Sequence, residues 1–391
     1  MLEDFLSPID ISYIVEPQQY AKNQWGNCIE KHIDTLPDCS EIDIAIIGVE
    51  EDRRNHGKAG CKEAANAVRL ELYKLYKWQK RFRVADLGNI KAGRTQHDTY
   101  IGVGRVVEAL RAEKVVPIII GGTHDVTYGQ FLGYGSQSSD FVNIAVFDQE
   151  IDLFSSQRHA MGPYSFLYKI LTQQPNLFNF NLVGFQHFLV DPNIVNTLED
   201  LHFECHSLGH IRNNIEEVEP IVRNADIVSF DISAIRQSDA PAVDRLSANG
   251  FFGEEACQIA RYVGLSDHVS SFGLYQFNPI LDQNAQTAKL VAQMIWYFVD
   301  GFYGRKNDHP SASSKGFLQY IVNFKENEHE IVFIKSKRSD RWWMRVPVLK
   351  FKGELQEERY ELVPCSYSDY ELACKEEIPD RWMRAYLRLS V

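Results

Sequence analysis

The chain has 391 residues and a formal net charge of −12 at pH 7. Its hydrophobic content of 45% supports a sizeable core and argues against intrinsic disorder. The acidic balance argues against nucleic acid and anionic membranes as partners. No window approaches the roughly 18 to 20 apolar residues of a membrane span, and no signal peptide is evident. Because the seven cysteines form no CxxC pair, reduced thiols and a cytoplasmic location are expected.

Short apolar runs alternate with amphipathic stretches through most of the chain. The predicted strands lie at residues 41–49, 84–88, 115–120, 142–147, 180–185, 201–209, 225–231 and 268–279. The predicted helices lie at residues 64–75, 101–114, 164–171 and 286–300. Strands that alternate with helices in this way indicate an α/β fold with a parallel sheet and right-handed crossovers.

Composition divides the chain into four segments. We expect a lead-in over residues 1–40, an α/β domain over 41–304, a linker over 305–316 and an extension over 317–391. The linker is polar and rich in serine, as flexible connections are. The extension contains short alternating runs typical of antiparallel strands, and it ends in a predicted helix.

The extension places tryptophan beside arginine at residues 341–345 and again at 381–384. These segments could form an internal repeat, but chance similarity is the favoured explanation. Their side chains could stack on nucleotides or could attach the extension to the body, and the second role is favoured.

Polar clusters follow three of the predicted buried strands. His124 follows residues 115–120, Asp148, Glu150 and Asp152 follow 142–147, and Asp231 ends 225–231. Open α/β sheets place their chemistry at the carboxyl ends of parallel strands. Such a set of donors suits a hard or borderline divalent metal ion. A structural alternative is that His124 caps a helix and that the carboxylates favour a helix N-terminus.

Three motifs carry a resemblance to a known family: GGTHD at 121–125, FDQEID at 147–152 and SFDIS at 229–233. They resemble the Gly-Gly-x-His, Asp-Ala-His-x-Asp and Ser-Phe-Asp-x-Asp patterns of the ureohydrolases, which include arginases, agmatinases and formimidoylglutamases. The loop DRRNHG at 52–57 is similar to the corresponding sequence motif of formimidoylglutamases. The resemblance spans roughly residues 42–303. It implies a three-layer α/β/α sandwich with a mostly parallel eight-stranded sheet, and a homo-oligomer.

The resemblance also implies a metal site and a reaction. In that family two Mn²⁺ ions hold a hydroxide that attacks the carbon of an amidine or guanidine. The first ion would be held by His124, Asp148, Asp152 and Asp231, all of which match the family patterns.

Three positions depart from the family. The second ion would need a histidine and an aspartate where this chain has Glu150 and Ser233. A neutral hydroxyl is a poor Mn²⁺ ligand, so one ion is expected rather than two, with an empty site as the remaining alternative. Gln276 replaces the acid that receives the cationic amidine. Losing one side of such a buried pair costs about 3–5 kcal/mol.

Other positions receive roles from the resemblance. Asp152 and Gln276 are candidate catalytic positions, and His159 is either a proton shuttle or a surface histidine. Arg53, Arg54 and Asn55 lie in the loop that could meet the carboxylate of a glutamate-like substrate; the two arginines could equally be solvated.

Two classes of function remain. The first is a formimidoylglutamase-like hydrolase of a small amidine or guanidine, working with one metal ion or with a second ion held through Glu150, and with activity impaired by the three departures. The second is a non-catalytic binding or assembly module in which the extension at 317–391 is the working surface. A small-molecule sensor that uses the vestigial pocket is not separated from this module by the sequence.

Overall fold

The computed structural model describes residues 2–13, 19–54, 57–135, 141–153, 162–310, 315–324, 330–348 and 360–390. Its strands, numbered in chain order, are β1 Leu6–Ser7, β2 Glu30–Lys31, β3 Ile44–Val49, β4 Val84–Ile90, β5 Val116–Ile120, β6 Val142–Phe147, β7 Leu177–Phe185, β8 Glu204–Ser207, β9 Ile227–Asp231, β10 Ser271–Tyr275, β11 Phe317–Asn323, β12 Glu330–Ser336, β13 Trp342–Pro347 and β14 Tyr360–Cys365.

The helices lie mainly in the crossovers between these strands. They are α1 Trp25–Cys28, α2 Ala64–Leu72, α3 Gln96–Ala112, α4 Val126–Leu132, α5 Phe166–Gln173, α6 Pro192–Asp200, α7 Leu208–Asn213, α8 Val218–Arg223, α9 Gly253–Leu265, α10 Gln286–Tyr303, α11 Tyr367–Cys374 and α12 Asp380–Ser390. Among the residues that the structure describes, no helix is both long and apolar enough to cross a membrane.

The main sheet has the strand order β1-β4-β3-β5-β10-β9-β6-β7-β8, and β2 pairs with β4. The eight strands from β3 to β10 are parallel to one another. The predicted fold class is therefore confirmed. The lead-in adds the short strands β1 and β2. Each has only two residues, which is too short to show a periodic pattern in the sequence.

Both faces of the main sheet are covered by apolar side chains. In β3, Ile44 and Ile46 point into one hydrophobic cluster, while Ala45 and Ile47 point into another on the opposite face. Successive side chains of a strand point to opposite faces, so a strand that is apolar throughout must lie between two layers. This arrangement is the three-layer α/β/α sandwich that the family resemblance implies.

The extension forms a second, antiparallel sheet with the order β11-β12-β13-β14, and α11 and α12 accompany it. Arg223 of α8 attaches this unit to the body. Its buried guanidinium donates hydrogen bonds to the carbonyl oxygens of Trp342 (2.9 Å) and Cys365 (3.0 Å), and its carbon lies 4.6 Å from the Trp343 ring centroid. These contacts support the attachment role for this tryptophan pair.

The two segments in which tryptophan lies beside arginine do not form a structural repeat. Trp342 and Trp343 lie in β13, whereas Trp382 lies in α12 and donates a hydrogen bond to the carbonyl oxygen of Arg345. The similarity of their sequences therefore has no counterpart in secondary structure.

Candidate metal centre

The polar clusters lie at one edge of the main sheet because their strands are close neighbours. In the order β5-β10-β9-β6, all four strands run in the same direction. His124 follows β5, Asp148 and Asp152 follow β6, and Asp231 ends β9. The carboxyl ends of these strands therefore bring the four side chains together, as the sequence predicts.

Two glycines turn the chain after β5. Gly121 and Gly122 have φ values of +87° and +77°, a region that residues with side chains rarely adopt. A Cβ atom at Gly121 would lie 2.9 Å from the Cβ of Ala64 in the neighbouring helix. Both the backbone conformation and this close approach therefore require glycine in the turn that leads to His124.

The imidazole of His124 is the centre of the cluster. Its Nδ1 lies 2.8 Å from Asp152 Oδ2, 3.2 Å from Asp148 Oδ2 and 3.3 Å from Asp231 Oδ2. The four potential ligand atoms lie within 4.8 Å of one another, and all four residues are buried. One imidazole nitrogen and three carboxylates at this spacing fit a divalent cation.

A second contact fixes the His124 ring. Its Nε2 lies 3.0 Å from Ser229 Oγ, which lies 2.6 Å from Thr127 Oγ1. If Nε2 carries the ring proton and donates it to Ser229, the lone pair of Nδ1 points toward the carboxylates. An outer contact of this kind orients a metal-ligating histidine.

The cluster carries more negative charge than its own residues balance. Burial and the neighbouring Asp148 carboxylate raise the pKa of Asp231 to about 7, and they raise the pKa of Asp152 well above its ordinary value. Burial alone would lower the pKa of His124, but hydrogen bonds that its protonated ring donates to the Asp148 and Asp152 carboxylates raise that pKa well above the ordinary value. A divalent cation would balance this charge.

Glu150 and Arg245 form an ion pair beside the cluster. The backbone N–H of Glu150 donates a hydrogen bond to Asp148 Oδ1 (3.1 Å). Burial raises the pKa of Glu150, and Arg245 opposes that shift. The carboxylate expected near a second ion is thus engaged by a cation of the same chain.

Ser233 and Gln276 reach the same cavity. The backbone N–H of Ser233 donates a hydrogen bond to Asp231 Oδ1 (2.7 Å). Gln276 has a φ of +67°, and its backbone N–H donates a hydrogen bond to the Gly122 carbonyl oxygen (3.1 Å). The cavity is lined by Asp148, Gln149, Glu150, Asp152, Tyr164, Asp231, Ser233, Val243, Asp244, Arg245 and Gln276.

The loop after β3 carries the three positions that the resemblance assigns to the substrate carboxylate, and that assignment stays a prediction. Arg53 forms an ion pair with the buried Glu51 and donates a hydrogen bond to Thr99 Oγ1 (2.9 Å). Arg54 is exposed. Asn55 and His159 lie outside the described residues.

Sequence reasoning missed Ser229 and Arg245. Ser229 had a signal, because it lies two residues before Asp231 in a buried strand and therefore on the same face. Arg245 had no local signal, since its partner Glu150 lies 95 positions earlier in the chain.

Comparison with known proteins agrees with this geometry. The model of the arginase family matches residues 42–300. Formimidoylglutamase from Streptococcus gordonii is 25% identical over 325 residues, which cover 76% of this chain and 97% of that protein. Formimidoylglutamase from Staphylococcus aureus is 26% identical over 274 residues, which cover 66% of this chain and 85% of that protein.

Solved structures show the same fold. Trypanosoma cruzi formiminoglutamase, solved with Mn²⁺₂, aligns with a TM-score of 0.64 and 21% identity over 70% of this chain and 97% of that one. Formimidoylglutamase from Bacillus subtilis aligns with a TM-score of 0.60 and 19% identity over 69% of this chain and 93% of that one. With the family model covering most of the chain, this protein belongs to the arginase family and is similar to its formimidoylglutamases.

Proposed function

We propose that this protein binds one divalent cation, with Mn²⁺ as the expected ion, and hydrolyses a C–N bond of a small amidine related to formimidoylglutamate at an impaired rate. The ion would be held by His124, Asp148, Asp152 and Asp231. The observation that carries the proposal is the convergence of their four ligand atoms within 4.8 Å at the carboxyl edge of the sheet. The Mn²⁺ in the Trypanosoma cruzi structure supports the choice of ion.

A bound ion of this kind lowers the pKa of a coordinated water molecule, so that hydroxide is available near neutral pH. The protein's own groups keep the ligands in place. Ser229 orients the His124 ring, and the Ser233 backbone N–H holds the Asp231 carboxylate at 2.7 Å. A substrate entering the cavity would meet Gln276 and Ser233 on its walls.

The residues Gln276 and Ser233 of this cavity would also explain a reduced rate of hydrolysis. Gln276 offers a cationic amidine only a neutral carboxamide, where a carboxylate would provide an opposite charge. The loss of one side of a buried charge pair costs about 3–5 kcal/mol, which corresponds to a loss of affinity of several hundredfold or more. Ser233 adds a further loss, because its hydroxyl cannot balance the charge of a second ion.

The experiment is a turnover assay on Mn²⁺-loaded full-length protein. We expect slow release of formamide from formimidoylglutamate, and none from a His124→Ala variant assayed in parallel. Agmatine and arginine, assayed for urea release, test whether the substrate class is narrower or broader than proposed. Absence of turnover on all three substrates would contradict the hydrolase proposal.

A second candidate is a non-catalytic module that acts through residues 317–391. One observation favours it: among the described residues that line the cavity, none belongs to this extension. The extension is nevertheless attached to the body through buried contacts of Arg223. Complete absence of turnover, together with intact Mn²⁺ binding, would support this candidate over the first.

A further inference from the structure

The cavity beside the metal cluster contains a strong excess of acidic groups. Five carboxylate side chains line it, those of Asp148, Glu150, Asp152, Asp231 and Asp244. Among the described residues of the lining, Arg245 alone carries a permanent positive charge. Its position therefore matters to the electrostatics of the whole site.

Arg245 is held at this position by three contacts. Its guanidinium forms an ion pair with Glu150, and its guanidinium carbon lies 3.6 Å from the centroid of the Tyr164 ring. Its carbonyl oxygen accepts a hydrogen bond from Gln149 Nε2 (2.9 Å). Backbone and side chain are thus both tied to the loop that carries Asp148, Glu150 and Asp152.

The ion pair is more than a solvated surface contact. The Glu150 side chain is only 18% exposed. A buried carboxylate without a partner is costly, whereas exposed ion pairs contribute little. Glu150 therefore needs a cation beside it, and Arg245 supplies one.

The two substitutions in the second metal position compensate each other in charge. The family patterns place a neutral histidine and a negative aspartate there, whereas this chain places a negative Glu150 and a neutral Ser233. The total charge of the two positions is therefore the same as in the family patterns. The carboxylate, however, lies in the loop after β6 and not after the end of β9. That loop is the one that Arg245 contacts.

We infer that the Arg245 guanidinium is a built-in cation that takes the charge-balancing role of a second metal ion. Glu150 is its partner and is not a metal ligand. The site is consequently mononuclear, because a second divalent ion would have to displace Arg245 or accept its repulsion. This inference extends the proposed function. It depends on that proposal in one respect, namely that His124, Asp148, Asp152 and Asp231 hold the first ion.

The test measures Mn²⁺ binding by full-length protein, with elemental analysis for the ion count, calorimetry for the Kd and electron paramagnetic resonance for coupling between ions. The main variant is Arg245→Gln, which removes the charge and keeps a hydrogen-bonding side chain. Arg245→Lys keeps the charge. Arg236→Gln is the matched control, since Arg236 lies on the same loop with an ion pair to Asp239 and a ring contact to Phe252. The side chains of Arg236 and Arg245 are 34% and 38% exposed.

We expect one Mn²⁺ with an uncoupled spectrum for the wild type, Arg245→Lys and Arg236→Gln. For Arg245→Gln we expect about tenfold tighter binding or a second bound ion with a coupled spectrum, because a repelling charge has been removed. Wild-type affinity and ion count in Arg245→Gln would overturn the inference. Two ions in the wild-type protein would also overturn it, although the hydrolase proposal would survive. If the wild type bound no Mn²⁺, the proposed function would fail. In that case, Mn²⁺ binding by Arg245→Gln would still support the role of Arg245, and absence of binding would overturn it.

Discussion

The two halves of the metal centre balance their negative charge in different ways. Around His124, three buried carboxylates converge on one nitrogen, and burial with mutual repulsion raises the pKa of Asp152 and Asp231. Around Glu150, the opposite charge comes from Arg245 in the same chain. The first half needs a cation from solution, whereas the second half already has one. A metal position can therefore be lost without leaving a buried charge unpaired.

The halves also differ in what supports them. His124 and Asp231 are positioned by β5 and β9 in the middle of the sheet, where neighbouring strands fix the backbone. Ser233 and Gln276 lie beyond the ends of β9 and β10, and Gln276 adopts a left-handed backbone conformation. Substitutions at such loop positions change the chemistry and leave the sheet unaffected.

The largest expected effect is on the His124 half. In His124→Ala, three buried carboxylates lose both their hydrogen-bonding partner and a ligand nitrogen. We expect Mn²⁺ affinity to fall at least about hundredfold, since loss of a contact outside the ligand shell alone costs 10–100-fold. Calorimetric titration with Mn²⁺ measures the change. His210→Ala, which removes an exposed histidine, is the control and should bind as the wild type does. Retained affinity in His124→Ala would place the ion elsewhere.

The next effect concerns pH and metal removal. Burial and Asp148 raise the pKa of Asp231 to about 7 in the metal-free protein, whereas an unfolded aspartate titrates at about 3.9. The native state therefore binds this proton more tightly, and the associated stability is fully present below about pH 4 and lost as pH rises through about 7. Mn²⁺ can replace the proton, so the rise in Tm caused by Mn²⁺ should be larger at about pH 8 than at about pH 6.

Thermal melts with Mn²⁺ or with a chelator across this pH range check that expectation. Asp231→Asn removes the titrating group, so its metal-free Tm should depend less on pH. A Mn²⁺ effect that is equal at both ends of the range would mean that protons and metal do not compete at this cluster.

A smaller effect is expected from Ser229→Ala. The variant leaves all four ligands in place and removes the hydroxyl that lies 3.0 Å from His124 Nε2. We expect Mn²⁺ affinity to fall about tenfold, because the ring loses the contact that fixes its orientation. Ser238→Ala, at an exposed hydroxyl, is the matched control. If Ser229→Ala bound Mn²⁺ like the control, the His124 ring would be held by the carboxylates alone.

The sequence predicts the first half of the centre much better than the second. Buried parallel strands leave a strong apolar signal, and β6 has the predicted bounds of residues 142–147. Because parallel strands end at a common edge, His124 and Asp231 can be placed together from sequence alone. The short strands β1 and β2 and the helix α11 were not predicted. Two paired residues carry no periodicity, and α11 has no strongly apolar face.

The second half depends on contacts between distant parts of the chain. Glu150 and Ser233 are visible in the sequence as departures from a family pattern, but their compensation requires Arg245. That residue lies between β9 and α9, in a loop without a periodic pattern, and it reaches Glu150 across 95 positions. Such a pairing is a consequence of tertiary structure, which local propensities do not encode.

The smallest expected effect comes from a variant that removes a side chain packed against Arg245 but keeps the charge of Arg245. Tyr164→Leu removes the ring that lies 3.6 Å from the guanidinium carbon and leaves a shorter apolar side chain. A cation–π contact contributes about 0.5–2 kcal/mol, so we expect the free energy of unfolding of the metal-free protein to fall by about 1 kcal/mol in urea titrations. Mn²⁺ affinity should rise by less than in Arg245→Gln, because the positive charge remains. Tyr164→Phe keeps the ring and should behave more like the wild type. If Tyr164→Leu matched Arg245→Gln in Mn²⁺ affinity, the position of the guanidinium, and not only its charge, would control the second half of the centre.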